Sequence, residues 1–353
     1  MNHSGPHLQP SGSGKPRGKI LRLLLRAGLF DAVHRLWPAR LTVLAYHRVV
    51  DLDAAGFDTF RPNVSATPAA FAAQMDFIRR RFNVVCARDV IAWLDGKGSL
   101  PPHPALITFD DGYRDNFDHA LPILCQRNMP ALVFLTTNHI GQAEPFYWDL
   151  MAYCFQHTSC DAADLPLLGW QQWRDEQSRT AIMRRWLAAL KAVPEEEKRE
   201  AVRQLPEALG VSVPKDAFAG LCLSWDQVRV MAAAGVDMGA HTQSHPVLTR
   251  VSLEQARREA AGSKARIEAE IGRPVTTFAY PNGLPADFNP ALQAMLTQVG
   301  FRAAFTLVPG PERLAEVRRE PMAIRRIFIG HSDTLPRFAV RVMGVPRFWG
   351  VMA

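Results

Sequence analysis

The chain has 353 residues, of which 48% are hydrophobic and 21% are charged, so it can bury a large core and does not have the composition of a disordered protein. Its net charge of +7 favours anionic partners, such as an acidic glycan, a nucleic acid or an anionic membrane surface, without distinguishing among them. Five scattered cysteines without a C-x-x-C pair argue against a disulfide framework and a cysteine zinc site.

The first 40 residues are expected to precede the main domain. Residues 1–19 are polar and rich in Gly, Ser and Pro, which predicts a disordered segment. Residues 20–40 place leucines on one helical face and arginines off it, which predicts a basic amphipathic helix. Such a helix either lies in a membrane interface or packs on the surface of the domain.

The apolar run at 20–37 is interrupted by charged residues, so it lacks the uncharged centre of a signal peptide. No run in the chain reaches the roughly 18 apolar residues that a membrane span needs. We therefore expect a cytoplasmic protein. Peripheral contact with the inner face of the membrane is a hypothesis that sedimentation with anionic lipid vesicles would test.

Apolar, β-branched segments alternate with helical patterns from residue 41 onward. Strands are predicted at 41–47, 105–109, 131–137, 236–241, 276–281 and 302–307. Helices are predicted at 67–82, 224–235 and 252–271, with Thr67, Ser224 and Ser252 as N-cap residues. This alternation predicts a parallel sheet with helices outside, and about seven strands suit a closed α/β barrel over residues 41–335. No G-x-G-x-x-G is present, which argues against a dinucleotide-binding fold.

Two segments do not follow this alternation of strands and helices. Residues 150–222 contain no clear strand but hold several tryptophans and a charged run, which predicts a helical insertion between two barrel strands. Because insertions at strand ends often shape pockets, this one is either a lid over the site or ordinary surface packing. Residues 336–353 are apolar and basic, and we expect them to form a C-terminal tail.

Polar residues stand where several of the predicted strands end. They are His47, Asp110, Asp111, His241, His245 and Asn282. Because the carboxyl ends of parallel strands in a barrel open on one mouth, we expect these side chains to share a site.

Two histidines with one carboxylate form a common zinc site that leaves one position open. We expect one aspartate of the pair Asp110 and Asp111 to bind a divalent metal, Zn²⁺ before others, and the other to take a proton from water. Each pattern is weak alone, since Asp-Asp-Gly also forms turns in which the side chains bond the backbone. Their joint position at strand ends favours the metal site.

The motifs TFDDG at 108–112 and HTQSH at 241–245 together resemble the polysaccharide deacetylase family, the NodB-type carbohydrate esterases of family 4. YHRV at 46–49 is similar to the first strand of a bacterial branch linked to exopolysaccharide, and FAYPNG at 278–283 resembles the family's third motif. The resemblance covers residues 41–335. It implies a distorted (β/α)7 barrel and metal-dependent removal of an N- or O-linked acetyl group from a sugar.

Carried over to this chain, the resemblance implies that Asp110 is the general base and that Asp111, His241 and His245 bind the metal. It also implies that the backbone N–H near Asn282 helps to bind the oxyanion formed during hydrolysis.

Three departures from the family pattern leave roles open. The third motif often carries an arginine that orients the catalytic aspartate, but this chain has Ala-Tyr-Pro at 279–281. We expect Arg326, or its neighbour Arg325, to supply that charge instead. Asn282 stands where many members have tyrosine, which leaves its contact with substrate open.

The third departure concerns the general acid. The family's late Leu-x-x-His is replaced by Phe-Ile-Gly-His, which ends at His331. His47 competes for the role because the first strand ends at the same mouth, and we favour His47 over His331.

The sequence therefore predicts a metal-dependent hydrolase that removes an acetyl group from an N-acetylated sugar of a polysaccharide or a lipid-linked glycan. Alternatives are hydrolysis of a non-sugar amide or imide or of an O-acetyl ester, and a non-catalytic glycan-binding barrel. The expected partner is the glycan or lipid-linked sugar. We expect no nucleic-acid partner, since the basic residues are spread out without a motif that reads RNA or DNA. No pattern indicates an oligomeric state.

Overall fold

Seven parallel strands close into a barrel in the computed structural model, which describes residues 39–54 and 56–344. The strands are β1 Arg40–Tyr46, β2 Pro104–Phe109, β3 Leu132–Leu135, β4 Asp237–Ala240, β5 Thr277–Ala279, β6 Ala303–Pro309 and β7 Ile324–Phe328. Around the barrel, β1 pairs with β2 on one side and β7 on the other, and each remaining strand pairs with its neighbours in chain order. The predicted distorted (β/α)7 barrel is confirmed.

Helices follow most of the barrel strands and cover the outside. They are α1 Pro68–Arg81, α2 Ala87–Leu94, α3 Leu121–Cys125, α4 Tyr147–His157, α5 Glu176–Ala192, α6 Glu195–Ala208, α7 Trp225–Ala233, α8 Leu253–Ile271, α9 Pro290–Val299, α10 Leu314–Arg319 and α11 Leu335–Val342. The predicted N-caps are confirmed: Thr67, Ser224 and Ser252 each accept a hydrogen bond from a backbone N–H in the first turn.

Short strands lie outside the barrel wall. They are Arg48–Val49, Val64–Ala66, Asn83–Val84, Ala162–Leu165, Gly169–Gln172 and Glu312–Arg313. Glu312–Arg313 runs antiparallel to the start of β1, and Asn83–Val84 runs parallel to β2.

The barrel interior is filled by side chains, so it is a core and not a pore. All six residues of β2 are buried, as its continuous apolar run requires of a strand covered on both faces. Phe134 of β3 and Phe305 of β6 lie inside with their ring centroids 5.4 Å apart. Gly239 of β4 faces this pair, and a Cβ at that position would lie 2.5 Å from the Phe134 ring.

The insertion at 150–222 differs from the helical segment expected from the sequence. It contains α5 and α6, but also an antiparallel hairpin of Ala162–Leu165 with Gly169–Gln172. Each of these strands has only four residues, and Leu167 and Gly169 turn the chain with positive φ angles. An apolar pattern this short does not predict a strand from the sequence. Burial of Leu165 against the insertion's own helices stabilises the hairpin.

The segment at 336–353 also differs, in its first part, from the tail expected there. Helix α11 spans the expected boundary at residue 335 and buries one face, with the Phe338 ring packed against Phe77 of α1 at 6.0 Å. Residues 345–353 lie outside the described residues, as do the predicted disordered segment and nearly all of the predicted amphipathic helix. None of the helices within 39–54 and 56–344 is long and apolar enough to cross a membrane.

Replacing Gly239 by alanine should destabilise the barrel, because the added methyl group overlaps the Phe134 ring in a closed interior. We expect a loss of about 1–3 kcal/mol in the free energy of unfolding, measured by urea denaturation. Gly98→Ala is the matched control, since Gly98 is exposed and its new methyl group would meet only Ala92 at 3.8 Å. Equal stability of the two variants would contradict this account of the interior.

Candidate active site

Asp110 is held by a buried arginine at the carboxyl end of β2. Arg326 of β7 donates from Nη1 to Oδ1 and from Nη2 to Oδ2 of Asp110, both at 2.7 Å, across 216 positions of sequence. The same guanidinium donates to the Thr306 carbonyl oxygen at 2.9 Å and to Thr108 Oγ1 at 3.1 Å. Four donated bonds therefore fix its orientation toward the carboxylate.

Asp110 is a carboxylate at neutral pH. Burial alone would raise its pKa, but the charge of the Arg326 guanidinium and its hydrogen bonds lower the pKa to about 2. Arg325, which the sequence left as the alternative, is half-exposed and lies with its Nε 3.6 Å from Glu312. Arg326 is thus the arginine that the structure places on Asp110.

Asp111, His241 and His245 converge beside this ion pair. Nε2 of His241 and Nε2 of His245 each lie 3.5 Å from Oδ1 of Asp111. All three side chains are buried, and one ligand atom from each lies within 4.8 Å of the other two. The structure therefore brings together the three predicted metal ligands, in the combination of two histidines and one carboxylate that zinc sites use.

His241 presents a nitrogen lone pair to a cation, and both histidines are neutral. Nδ1 of His241 lies 2.8 Å from the Ala279 carbonyl oxygen, and because a carbonyl can only accept, Nδ1 carries the proton and Nε2 keeps its lone pair. Burial lowers the pKa of His241 and lowers that of His245 well below its ordinary value, so both imidazoles are neutral. Trp148 packs edge-on against the His245 ring at 4.9 Å and limits its rotation.

Asp111 shows that the residues fit a divalent cation. Both of its carboxylate oxygens are buried, and neither has a hydrogen-bond partner among the described residues. Burial, followed by repulsion from Asp110, raises the pKa of Asp111 well above its ordinary value. Arg326 is already paired with Asp110, so a cation at the three converging ligand atoms would supply the positive counter-charge that an ionised Asp111 needs.

The backbone around these residues is strained. Asp111, Thr242, His245 and Asn282 all have positive φ, between 59° and 75°, whereas only three other non-glycine residues do so in the described chain. Thr242 is β-branched and rarely adopts this conformation. Such strain collects at functional sites, where surrounding contacts enforce it.

Glu259 of α8 provides those contacts for the loop at 241–245. It accepts hydrogen bonds from the backbone N–H groups of Gln243 and Ser244, at 2.8 and 2.9 Å, and from Ser244 Oγ. Sequence reasoning missed this residue, since a glutamate within an amphipathic helix gives no sign of facing a loop.

His47 enters the site from the end of β1. Its Nε2 lies 4.0 Å from Oδ2 of Asp111, whereas His241 and His245 approach the other carboxylate oxygen, Oδ1. Its ring packs edge-on against Phe328 at 5.5 Å. Burial lowers the pKa of His47 to about 4, against the opposing effect of Asp110, so the imidazole is neutral at pH 7.

The remaining predicted residues are Asn282 and His331. The Asn282 side-chain nitrogen is buried without a partner among the described residues, in a turn after β5. His331 is exposed, beyond the end of β7, and lines a cavity beside α4 and α5. The structure thus brings His47 to the predicted metal ligands and places His331 in a different pocket.

A hydrogen-bonded chain behind His245 was also missed from the sequence. Trp148 Nε1–H donates to the Tyr113 hydroxyl at 2.7 Å, and that hydroxyl donates to Oδ2 of Asp149 at 2.7 Å. The other oxygen of Asp149 accepts from the Phe60 backbone N–H at 2.9 Å. This chain ties the start of α4 to the strand end that carries the aspartates. The adjacent tryptophan and aspartate at 148–149 were the only signal available.

Comparison with protein families gives a match over more than half of the chain. The model of the family described as "Polysaccharide deacetylase" matches residues 97–304, which contain both aspartates, both metal-ligand candidates on the 241–245 loop and the insertion.

A curated relative is the poly-β-1,6-N-acetyl-D-glucosamine N-deacetylase of Staphylococcus epidermidis, 32% identical over 80 residues, which cover 22% of this chain and 27% of the relative. A second curated relative, from Bacillus subtilis, is matched over 40% of its length. The chain therefore matches less than half the length of either.

Two solved structures share the fold. The deacetylase PplD of Streptococcus pyogenes, in complex with acetate, aligns with a TM-score of 0.57 at 15% identity, over 87% of this chain and 99% of that one. IcaB of Ammonifex degensii aligns with a TM-score of 0.55 at 20% identity, over 87% and 98% of the two chains.

Asp149 should make the stability of the metal-free protein depend on pH. Burial raises the pKa of Asp149 from 3.8 to about 6, against the opposing effects of Arg48, the Phe60 N–H and the Tyr113 hydroxyl. The protonated carboxyl therefore stabilises the folded chain fully below about pH 4, and this contribution is lost as the pH rises through about 6. Asp149→Asn should remove a change on the order of 3 kcal/mol between these limits.

The measurement is urea unfolding of the two proteins in chelator at a series of pH values from about 4 to about 7.5. Asp118→Asn is the control, because Asp118 is exposed and Arg114 is its one ion-pair partner among the described residues, so its profile should follow that of the unchanged protein. An Asp149→Asn profile parallel to that of the unchanged protein would refute the prediction.

Proposed function

The chain belongs to the polysaccharide deacetylase family, and on that premise we propose that it is a metal-dependent hydrolase that removes the acetyl group from an N-acetylated sugar. The observation that carries the proposal is the pairing of two adjacent buried aspartates with different partners. Asp110 is held by Arg326, whereas Asp111 faces two neutral histidines, and its oxygens have no hydrogen-bond partner among the described residues. The substrate is a polysaccharide or a lipid-linked glycan.

Asp110 acts as the general base. Its carboxylate is ionised and held by two bonds from Arg326, so it can take a proton from the water that attacks the acetyl carbonyl without losing its position. A divalent cation, with Zn²⁺ expected, would be held by Asp111, His241 and His245 and would polarise the carbonyl and lower the pKa of water. The backbone N–H of Asn282 is the proposed donor to the oxyanion.

His47 passes a proton to the departing amine nitrogen. It is neutral before the reaction, so the proton that it delivers is one gained during turnover, from the water deprotonated at Asp110. Overall, water is split across the amide: its hydroxyl joins the acetyl carbon, the C–N bond breaks, and its proton reaches the nitrogen. The products are acetate and a free amino sugar.

The convergence of Asp110, Asp111, His241 and His245 in one buried site weighs against the non-catalytic glycan-binding alternative. Hydrolysis of a non-sugar amide, an imide or an O-acetyl ester would use the same groups and is an outcome of the substrate panel below. Cytoplasmic location and peripheral contact with the membrane remain proposals that rest on the sequence.

The first test separates the roles of the two aspartates. The unchanged protein should bind one equivalent of Zn²⁺ and release acetate from N-acetylglucosamine oligomers or lipid-linked N-acetyl sugars. Asp110→Asn should keep the metal but lose about 10²–10⁴ in kcat, because it removes only the base. Asp111→Asn should lose the metal itself, because the carboxylate ligand is gone.

Metal content by mass spectrometry and acetate release by a coupled assay give the two readouts. Asp118→Asn, which removes an exposed carboxylate close in sequence, should change neither. A full equivalent of metal in Asp111→Asn would overturn the ligand set. Bound metal without acetate release from any glycan would move the activity to a different amide or ester.

The second test concerns the general acid. His47→Ala should reduce kcat by about 10²–10⁴ while the metal content stays at one equivalent, because His47 faces the site without belonging to the ligand set. His331→Ala should leave kcat on neutral N-acetylglucosamine oligomers unchanged, because His331 lies outside the site. The reverse pattern would assign the acid to His331.

A further inference from the structure

A cavity with a volume of about 610 Å³, which is within the range of small-ligand pockets, lies outside the reaction centre. It lies between the turn of 3-10 helix at Arg61–Asn63, helices α4 and α5, and the loop after β7. Its walls are largely apolar and include Phe60, Ala152, Phe155 and Met183.

Two series of contacts, one on α4 and one after β7, connect the elements around this cavity to the site. On α4, Trp148 packs on His245, and Ala152 lines the cavity one turn later on the same face, about 6 Å along the helix. After β7, Phe328 packs on His47, and His331, three residues on and at most about 11 Å away, lines the cavity. The cavity is therefore lined by residues that closely follow, on α4 and after β7, the rings packed on His245 and His47.

The charged groups of the cavity are mostly arginines. Arg179 is already engaged, since it pairs with Glu176 and donates to the Phe155 carbonyl oxygen. Arg61 and Arg184 are exposed at the rim, and within the described part of the chain neither has a carboxylate within ion-pair distance. Glu176 is the cavity's one carboxylate among the described lining residues, and Arg179 offsets it.

We propose that this cavity, with Arg61 and Arg184 at its rim, is a subsite for an anionic group that the substrate carries next to the N-acetylated sugar. The inference rests on the proposed function for the location of the sugar. Arg61 lies over the Phe57 ring at 5.9 Å, and like Arg184 it has no carboxylate partner in the described chain. Two such guanidinium groups above apolar walls suit a phosphate or a carboxylate attached to a bulky group. Such an anion comes either from the pyrophosphate of a lipid-linked sugar or from an acidic sugar within a polysaccharide.

Binding measurements in the Asp110→Asn background test this without turnover. Three ligands are titrated by calorimetry: an N-acetylglucosamine tetramer, a tetramer alternating N-acetylglucosamine with glucuronate, and N-acetylglucosamine linked through pyrophosphate to a farnesyl group. We expect one anionic ligand to bind at least about tenfold more tightly than the neutral tetramer. This preference should shrink when NaCl is raised from about 0.1 M to about 1 M.

Arg61→Ala combined with Arg184→Ala should abolish the preference and leave the affinity for the neutral tetramer unchanged. Arg185→Ala is the matched control, since Arg185 is the next residue of α5, is exposed, and bonds to Gln171 outside the cavity. Preference for the glucuronate ligand identifies an acidic polysaccharide, and preference for the pyrophosphate ligand identifies a lipid-linked precursor. Far-UV circular dichroism confirms that the double variant is folded.

Equal affinity for all three ligands, or a preference that survives the double substitution, would overturn the subsite. Failure of the proposed function has a different signature, because acetate release from the neutral tetramer by the unchanged protein does not depend on Arg61 or Arg184. If the protein prefers the anionic ligands but releases no acetate, the subsite proposal stands and the proposed deacetylase activity is refuted.

Discussion

The buried ion pair of Asp110 with Arg326 determines what the rest of the site can be. Removing two adjacent carboxylates from water costs several kcal/mol for each charge, and a single guanidinium offsets only one of them. Because Arg326 binds both oxygens of Asp110, Asp111 is left with buried, unpartnered oxygens and two neutral histidines. The barrel makes this possible: only when β7 closes against β1 does Arg326 reach a residue 216 positions earlier.

The geometry at the mouth is maintained by contacts from outside the strands. Four site residues hold left-handed backbone conformations that cost about 1–3 kcal/mol each, so the loops need support to keep them. Glu259 supplies it for the loop at 241–245, and the Trp148–Tyr113–Asp149 chain supplies it behind His245. The first turn of helix α4 therefore fixes the Trp148 ring that packs on His245.

The sequence predicts the parts of this site that depend on local pattern. Alternating strands and helices indicate the barrel, and polar residues at strand ends indicate His47, Asp110, Asp111, His241 and His245. Tertiary contacts are beyond such patterns. Arg325 and Arg326 are indistinguishable until the pleat of β7 turns one inward and the other toward Glu312, and the four-residue strands of the hairpin are too short to recognise.

The rim arginines of the cavity give a physical reason for substrate orientation. At the reaction centre Asp110 and Arg326 offset each other, and a divalent cation held by Asp111, His241 and His245 would leave one positive charge in excess. The cavity beside α4 and α5 holds three arginines and one carboxylate among its described lining residues, and its two rim arginines have no carboxylate partner in the described chain. On the proposed subsite, a substrate with a neutral acetamide and a neighbouring negative group is therefore oriented by placing the negative group at the rim while the acetamide lies at the reaction centre.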